Sequence, residues 1–260
     1  MKAMILAAGN GTSLRPLTDK IPKALVEVNG LTALELVVER LKAADVGEVV
    51  INVHHHAGQV EGFVLRKRGF GLQVKWSRER SLLDTGGALK AARRFFEDGE
   101  PFFVHNIDIL SDIDLAAMMA AHGRTGALAT LAVQERLAER TLLVDEEGVM
   151  CGHVDHRSGL RRLARRPSGR PREFAFCGIH VLSPGIFEAI EEDGRFSIID
   201  AYLKLAGKGC IVRVFKADGR FWRDIGRIEA LQSLLDEISR GALPPGLWRA
   251  PGAGDVSEPR

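Results

Sequence analysis

Three kinds of residue in this chain could act together on a phosphate ester: glycines in tight turns, basic side chains close behind them, and two acidic residues far apart in sequence. The first glycines fall in Met4-Ile5-Leu6-Ala7-Ala8-Gly9-Asn10-Gly11-Thr12-Ser13-Leu14-Arg15-Pro16-Leu17-Thr18. Gly9 and Gly11 allow backbone conformations with positive φ and leave no β-carbon between the chain and a ligand. Successive N–H groups freed in such a turn form a cradle for an anion. Arg15, Lys20 and Lys23 follow, and three clustered cations suit a polyphosphate better than a single phosphate. Scattered basic residues behind an ordinary strand and turn are the plain alternative, and the clustering argues against it. Two common phosphate loops are excluded. No Gly-Lys pair follows at P-loop spacing, and position 14 is leucine where the dinucleotide fingerprint needs its third glycine.

A second glycine pair stands in Asp84-Thr85-Gly86-Gly87. Asp84 or Thr85 can cap a helix starting there, and the glycines let a ligand group approach its positive end. Asp108 closes the apolar run from Pro101 to His105, through Asn106-Ile107. An acidic residue at the carboxyl end of a central strand lies where open α/β sheets bind ligands. Asp224 lies in Trp222-Arg223-Asp224-Ile225-Gly226. Either carboxylate alone is explained as a turn or a cap. Together, beside a polyphosphate cradle, Asp108 and Asp224 point to Mg²⁺, which takes few protein oxygens and keeps waters and phosphates as its other ligands. His54-His55-His56 cannot all face one metal from a strand end, so helix entry or substrate contact is the expected role.

The elements that must hold these residues can be read from periodicity. Met4 to Ala8 is a short buried strand, and Thr32 to Ala44 a helix with Leu34, Val37, Val38 and Leu41 on one face. Thr32 and Glu35 have capping-box spacing. Val49 to Val53, Gly71 to Trp76, Pro101 to His105 and Ala127 to Val133 read as further strands. Helices over Ala57 to Arg68 and from Asp84 to about Phe96 alternate with them, and Ser111 with Asp114 opens another. That rhythm predicts a parallel sheet covered on both faces. From Leu142 it changes. Leu142 to Asp145 and Val149 to Val154 flank a hairpin turn at Glu146-Glu147-Gly148. An arginine-rich loop (Arg161, Arg162, Arg165, Arg166, Arg170, Arg172) follows, read as a solvated face or a phosphate or partner contact. Then come a strand from Phe174 to Leu182, a helix from Ser183 through Ile190, one from Ser197 to Ala206, and a strand from Ile211 to Phe215. The last helix has Ile228, Leu231, Leu235 and Ile238 on one face.

Composition narrows the class. Of 260 residues, 45% are hydrophobic and 27% charged, the balance of a globular protein. A net charge of +2 gives no bulk attraction to nucleic acid or membrane. Three dispersed cysteines, Cys151, Cys177 and Cys210, offer neither a disulfide framework nor a zinc motif. No stretch approaches the roughly 18 apolar residues of a membrane span, and no signal peptide is evident, so a cytoplasmic location is expected.

The first stretch resembles the signature of the sugar-phosphate nucleotidyltransferases, Leu-Ala-Ala-Gly-x-Gly-Thr-Arg-Leu-Arg-Pro-Leu-Thr followed by Pro-Lys-x-Leu. Here the latter is Pro22-Lys23-Ala24-Leu25. Thr85-Gly86-Gly87, the acidic strand end at Asp108, Phe176-Cys177-Gly178-Ile179 and Trp222 to Gly226 extend the resemblance from Lys2 to about Leu235. The N-acetylmuramate 1-phosphate uridylyltransferase and mannose 1-phosphate guanylyltransferase groups are the most similar. The resemblance implies an α/β fold with a Rossmann-like, mostly parallel sheet, helices on both faces, and a smaller β-rich sugar-binding elaboration. Residues 1–240 form one unit, with nucleotide-binding and sugar/metal halves at 1–135 and 136–240, and residues 241–260 a flexible tail. It implies attack of a sugar 1-phosphate on the α-phosphorus of a nucleoside triphosphate. Nucleotide contacts would fall at Ala7, Ala8, Gly9, Gly11, Thr12, Thr85, Gly86 and Gly87, and Gly178 would line the sugar. Asp108 and Asp224 would hold Mg²⁺, and Arg15 and Lys23 would carry the catalytic positive charge. A homo-oligomer is left open.

One departure is conspicuous: Ser13 stands where the family carries an arginine. Loss of such a transition-state contact, about 3–4 kcal/mol, slows turnover by roughly two to three orders of magnitude. Asn106, where many members have glycine, is a milder departure. Two alternatives follow: a nucleotide-binding regulatory homologue with weakened or lost turnover, and a transferase acting on a phosphate such as phosphocholine.

Overall fold

The computed structural model describes residues 1–242. The expectation for the tail beyond them lies outside the described residues. In chain order the elements are β1 (Lys2–Leu6), β2 (Glu27–Val28), β3 (Leu31–Thr32), α1 (Ala33–Lys42), β4 (Glu48–Val53), α2 (Ala57–Arg66), β5 (Gln73–Arg78), α3 (Asp84–Ala91), β6 (Phe102–Asn106) and β7 (Ile109–Ser111). There follow α4 (Leu115–Gly123), β8 (Ala129–Gln134), β9 (Arg140–Val144), β10 (Met150–Asp155), β11 (Leu160–Leu163), β12 (Arg172–Leu182), α5 (Ile186–Ala189), α6 (Ile198–Gly207), β13 (Val212–Lys216), β14 (Trp222–Asp224) and α7 (Ile228–Ser239).

Ten strands form one sheet in the order β11-β10-β9-β12-β6-β1-β4-β5, with β8 branching from β12 and β13 pairing in turn with β8. The N-terminal half is parallel: β1 pairs with both β4 and β6, and β4 with β5. The chain leaves β1 towards β4 on one side and returns to β6 on the other, so the crevice beyond the strand ends opens at β1. In the second half, β12 runs antiparallel to β6, β8 and β9 and carries the β9–β11 meander. The arginine-rich segment, expected as a loop, instead contains β11, paired antiparallel with β10. Leu160-Arg161-Arg162-Leu163 is exposed throughout, so it lacks the apolar alternation that reveals a strand. Several of its arginines are ion-paired, Arg161 with Glu173 at 3.5 Å and Arg172 with Glu135 at 2.5 Å.

Alternation along the strands builds two cores. Ala3 and Ile5 of β1, with Val49 and Ile51 of β4, meet Leu34, Val38, Leu41, Val60 and Val64 of α1 and α2 on one face. Met4, Val50 and Val104 meet Leu89, Tyr202 and Leu205 of α3 and α6 on the other. A smaller cluster joins Leu14 of the first loop, Leu36, Leu110, Ile225, Leu231 and Leu234. It fastens the glycine loop to β7 and α7. Leu234 is the core residue that the expected face of α7 omits. α3 is shorter than expected, giving way after Ala91 to a separate 3₁₀ turn over Arg93–Phe95.

α1 starts where local chemistry dictates. The Glu35 amide donates to Thr32 Oγ1 at 3.2 Å, and the Thr32 amide donates to Glu35 Oε2 at 2.8 Å. Thr32→Ala is expected to lower unfolding stability by about 1 kcal/mol, with Thr32→Ser largely preserving it; denaturant titration checks both.

Candidate active site

The first loop begins at the carboxyl end of β1. Ala7 and Ala8 both donate their amides to Asn52 Oδ1, at 2.5 and 3.1 Å. The amides that follow, of Gly9, Asn10 and Gly11, donate to no group among the described residues. A β-carbon at Gly9 would meet nothing within 4 Å, so the chain there borders open space. Gly11 has φ 63°, and its carbonyl accepts from Thr18 Oγ1 at 2.7 Å. Any side chain at Gly11 would run into Thr18. The loop then returns through a 3₁₀ turn, Lys23–Leu25, that aims Lys23 inward. Lys23 Nζ donates to Asp108 Oδ2.

Asp108 and Asp224 are brought together by the short antiparallel pair β7–β14, in which Asp224 faces Ile109. The Ile225 amide donates to the Asp108 carbonyl at 2.8 Å, and the Gly226 amide to Asp224 Oδ1 at 2.7 Å. Gly226 marks the point of convergence. A β-carbon there would lie 2.7 Å from Asp108 Oδ2, 2.8 Å from Asp224 Oδ1 and 3.1 Å from Lys23 Nζ. Burial, and then the neighbouring Asp108 carboxylate, push the Asp224 carboxyl above the usual range. Two carboxylates crowded in this way are a donor set that fits a hard divalent cation whose remaining ligands come from phosphate and water. Among the described residues no group of three or more His, Cys, Asp or Glu could hold a metal, so the histidine triplet is not one. His54 Nδ1 lies 3.0 Å from the Glu79 carbonyl, and His56 occupies the N-cap position of α2 without a side-chain capping bond.

Ala8, Gly9, Lys23 and Asp108 line a cavity of about 320 Å³ with Asn52, Glu79, Asp84, Thr85, Asn106 and Arg195. Ala7 is buried and is not in its lining. Thr12 and Arg15 are exposed and do not reach its wall, and Arg15 is held by Asp19 at 3.1 Å. The glycine pair needs correction. Gly86 and Gly87 do approach something closely, but it is the chain: both amides donate to the Phe196 carbonyl, at 3.0 and 3.3 Å. β-carbons there would strike the Phe196 ring and the Gly194 carbonyl. α3 starts after Leu83 without a side-chain cap at that position, and Asp84 Oδ1 accepts the Thr85 amide within the first turn at 2.6 Å. Thr85 Oγ1 instead accepts the Ile198 amide at 3.0 Å, fastening α3 to the start of α6. This contact carries Arg195 to the cavity rim.

Gly178 lies at a register break of β12 against β8, with φ 72°. It packs on Asn106, whose Nδ2 would be 3.0 Å from a β-carbon there. Trp222 Nε1 donates to the Cys177 carbonyl at 2.9 Å, and Arg136 donates to the Phe176 carbonyl while lying over the Trp222 ring. Beyond this bulge a second cavity, about 380 Å³, is lined by Arg140, Thr141, His153, Phe176, Ser197 and Asp200 among others. Gly178 itself is in the lining of neither cavity. Sequence reasoning missed Asn52, Glu79 and Arg195. Only the break in apolar character at the end of β4 could have flagged the first, and the turn Asp193-Gly194-Arg195 the last.

A row of unbonded amides, a lysine and two converging carboxylates at the ends of parallel strands suits the handling of a polyphosphate ester. Comparison with known proteins agrees with this class. Residues 2–240 match the model of the nucleotidyl transferase family, and the chain belongs to that family. It is 32% identical over 232 residues to the mannose-1-phosphate guanyltransferase of Gibberella zeae, covering 87% of this chain and 61% of that protein. It therefore spans less than two thirds of that relative's length. It is 34% identical over 233 residues to the N-acetylmuramate alpha-1-phosphate uridylyltransferase of Caulobacter vibrioides, covering 88% of this chain and 93% of that protein. Among solved structures, a UDP-glucose pyrophosphorylase from Acinetobacter baumannii has a TM-score of 0.73 at 19% identity, with 95% of each chain covered. The inositol-1-phosphate CTP transferase from T. maritima has a TM-score of 0.72 at 19% identity, covering 92% of this chain and 96% of that one. These likenesses are of fold. No helix among the described residues is long and apolar enough to cross a membrane.

Asp224 gives a prediction whose sign can be worked out. A carboxyl whose pKa rises on folding stabilises the fold fully below its unfolded pKa, about 3.9, and that contribution is lost as pH rises through the raised value. At neutral pH the ionised group therefore weighs against folding. Asp224→Asn is expected to raise Tm of the metal-free protein at pH 7, to change it little near pH 3, and to abolish turnover. Calorimetry at the two pH values, with an activity assay, checks this.

Proposed function

We propose that the protein joins a nucleoside triphosphate to a sugar 1-phosphate, releasing pyrophosphate. The observation that carries this reading is the convergence of Lys23, Asp108 and Asp224 on Gly226, beside the unbonded amides of Gly9 to Gly11. The triphosphate lies along those amides with its base in the first cavity. The sugar lies beyond Gly178, in the second cavity, and Arg195 faces the phosphates from the α6 side.

A phosphate oxygen of the sugar 1-phosphate forms a bond to the α-phosphorus while the bond between that phosphorus and the α,β-bridging oxygen breaks, and pyrophosphate leaves with the electron pair. A phosphate monoester with second pKa about 6 is mostly dianionic at pH 7, so no general base is required. The protein supplies in-line positioning and neutralisation of charge. Backbone amides hold the triphosphate, and Lys23 and Arg195 offset its negative charge. Asp108 and Asp224 would hold Mg²⁺, which supplies further neutralisation of the reacting phosphates. The relatives named above carry guanylyl and uridylyl transfer to different sugars, which supports the reaction type and leaves base and sugar to experiment.

The test incubates the purified chain with each common nucleoside triphosphate and a panel of sugar 1-phosphates, reading pyrophosphate. Release is expected with one cognate pair, lost on adding a chelator and restored by Mg²⁺. Binding of a nucleotide without release for any sugar phosphate would instead support the regulatory reading. Ser13 is exposed on the loop, so an arginine fits there. Ser13→Arg is expected to raise kcat more than it changes KM, because the restored contact strengthens in the transition state. Steady-state kinetics of the two proteins check it.

A further inference from the structure

Two buried polar side chains join the opposite walls of the first cavity. Asn52 is the last residue but one of β4 and is 2% exposed; Glu79 follows β5 and is 9% exposed. Asn52 Oδ1 takes both the Ala7 and Ala8 amides, and its Nδ2 donates to Glu79 Oε1 at 2.6 Å. The other Glu79 oxygen accepts the Leu83 amide at 3.0 Å. Leu83 immediately precedes α3, and both side chains line the cavity. Four hydrogen bonds through two side chains therefore tie the turn after β1 to the start of α3.

The polarity of this chain of bonds is fixed from both ends. Two backbone amides point at Asn52, so its oxygen must face them and its NH₂ must face Glu79. Glu79 must then accept from Asn52 on one oxygen and from Leu83 on the other, which only a group with two acceptor oxygens can do. Within a dry site each link is worth more than at the surface, and an unmet donor is costly.

We infer that Asn52 and Glu79 are a paired set of positioning residues. They hold the phosphate-facing amide turn and the α3 wall at one separation, and so set the affinity for the nucleotide. This rests on the nucleotide reading of the first cavity given above. Neither side chain is required to touch the reacting atoms.

The polarity allows a reversal test. Asn52→Asp sets two carboxylates against each other, and Glu79→Gln leaves one donor without an acceptor. Combining them restores all four bonds: the new carboxylate accepts from Ala7, Ala8 and the new amide, whose oxygen takes the Leu83 N–H. Two readouts are made on the full chain. One is hydrogen exchange of the ligand-free protein over residues 6–8 and 79–85. The other is Kd for whichever of ATP, CTP, GTP, UTP and dTTP the wild type binds. Each single variant is expected to speed exchange in both segments and to weaken Kd by about tenfold or more. The double variant is expected to return both readouts to within about threefold of wild type.

A merely structural role would lower Tm while the folded fraction kept wild-type affinity, and that result overturns the inference. So does a double variant no better than the worse single one. If a single variant does not fold, the double variant decides: wild-type exchange in both segments supports the pairing, and failure to fold overturns it. If wild type binds none of the five nucleotides, the proposed function fails, and the exchange data still decide the pairing.

Discussion

Two carboxylates must be held close together, half out of water, in a position where they repel each other. That constraint organises the molecule. Asp108 and Asp224 are more than a hundred residues apart, and burial, followed by their proximity, pushes the Asp224 carboxyl upward. Lys23, from a third region, offsets part of the charge at Asp108. What keeps the three together is apolar. Leu14, Leu110, Ile225, Leu231 and Leu234 form one buried cluster that joins the glycine loop, β7 and α7. Each such side chain contributes about 1.5–3 kcal/mol on burial, so a handful outweighs the penalty of one desolvated carboxylate. The site's electrostatic strain is thus offset a short distance away from the site.

The same separation of roles runs through the sheet. Strand alternation divides β1 between two cores, with Met4 to one side and Ala3 and Ile5 to the other. With both faces covered, polar chemistry is confined to the strand ends. There Asn52, near the end of β4, and Asn106, at the end of β6, flank Leu6 on either side of the turn that follows β1. The antiparallel strand β12 then carries the chain from the first cavity to the second, breaking register at Gly178 where Asn106 needs space. A single sheet therefore presents parallel strand ends at the first cavity and an antiparallel extension beyond them.

Sequence reading succeeded where the cause was local. The reciprocal bonds of Thr32 and Glu35 are fixed by a three-residue spacing, and the structure contains both. The Glu146-Glu147-Gly148 turn joins β9 to β10 for the same reason. It failed where one residue type has several physical uses. Gly86 and Gly87 signalled close approach correctly, yet a glycine does not say what approaches, and here it is Phe196 and Gly194. Strand β11 was invisible because an exposed edge strand needs no apolar alternation. Asn52 was missed because one polar residue at the end of an apolar strand carries no mark of the two amides it will meet. The carboxylate pair was legible only as a conjunction, since proximity of positions 108 and 224 is a property of the fold.

The charges near the amide turn differ in how firmly they are held. Lys23 is committed to Asp108, both side chains being about four-fifths buried, and removing it would leave a desolvated carboxylate uncompensated. Arg15 is in a different situation. Its partner is Asp19, and both side chains are more than half exposed. Such a surface pair is worth less than about 1 kcal/mol, so Arg15 can exchange Asp19 for a phosphate at almost no cost. A guanidinium offers a triphosphate a bidentate, charge-assisted contact that no exposed carboxylate partner outcompetes. Arg15 lies two residues beyond Ser13 on the same turn of chain. The loop therefore carries one firmly held cation, Lys23, and one loosely held, Arg15.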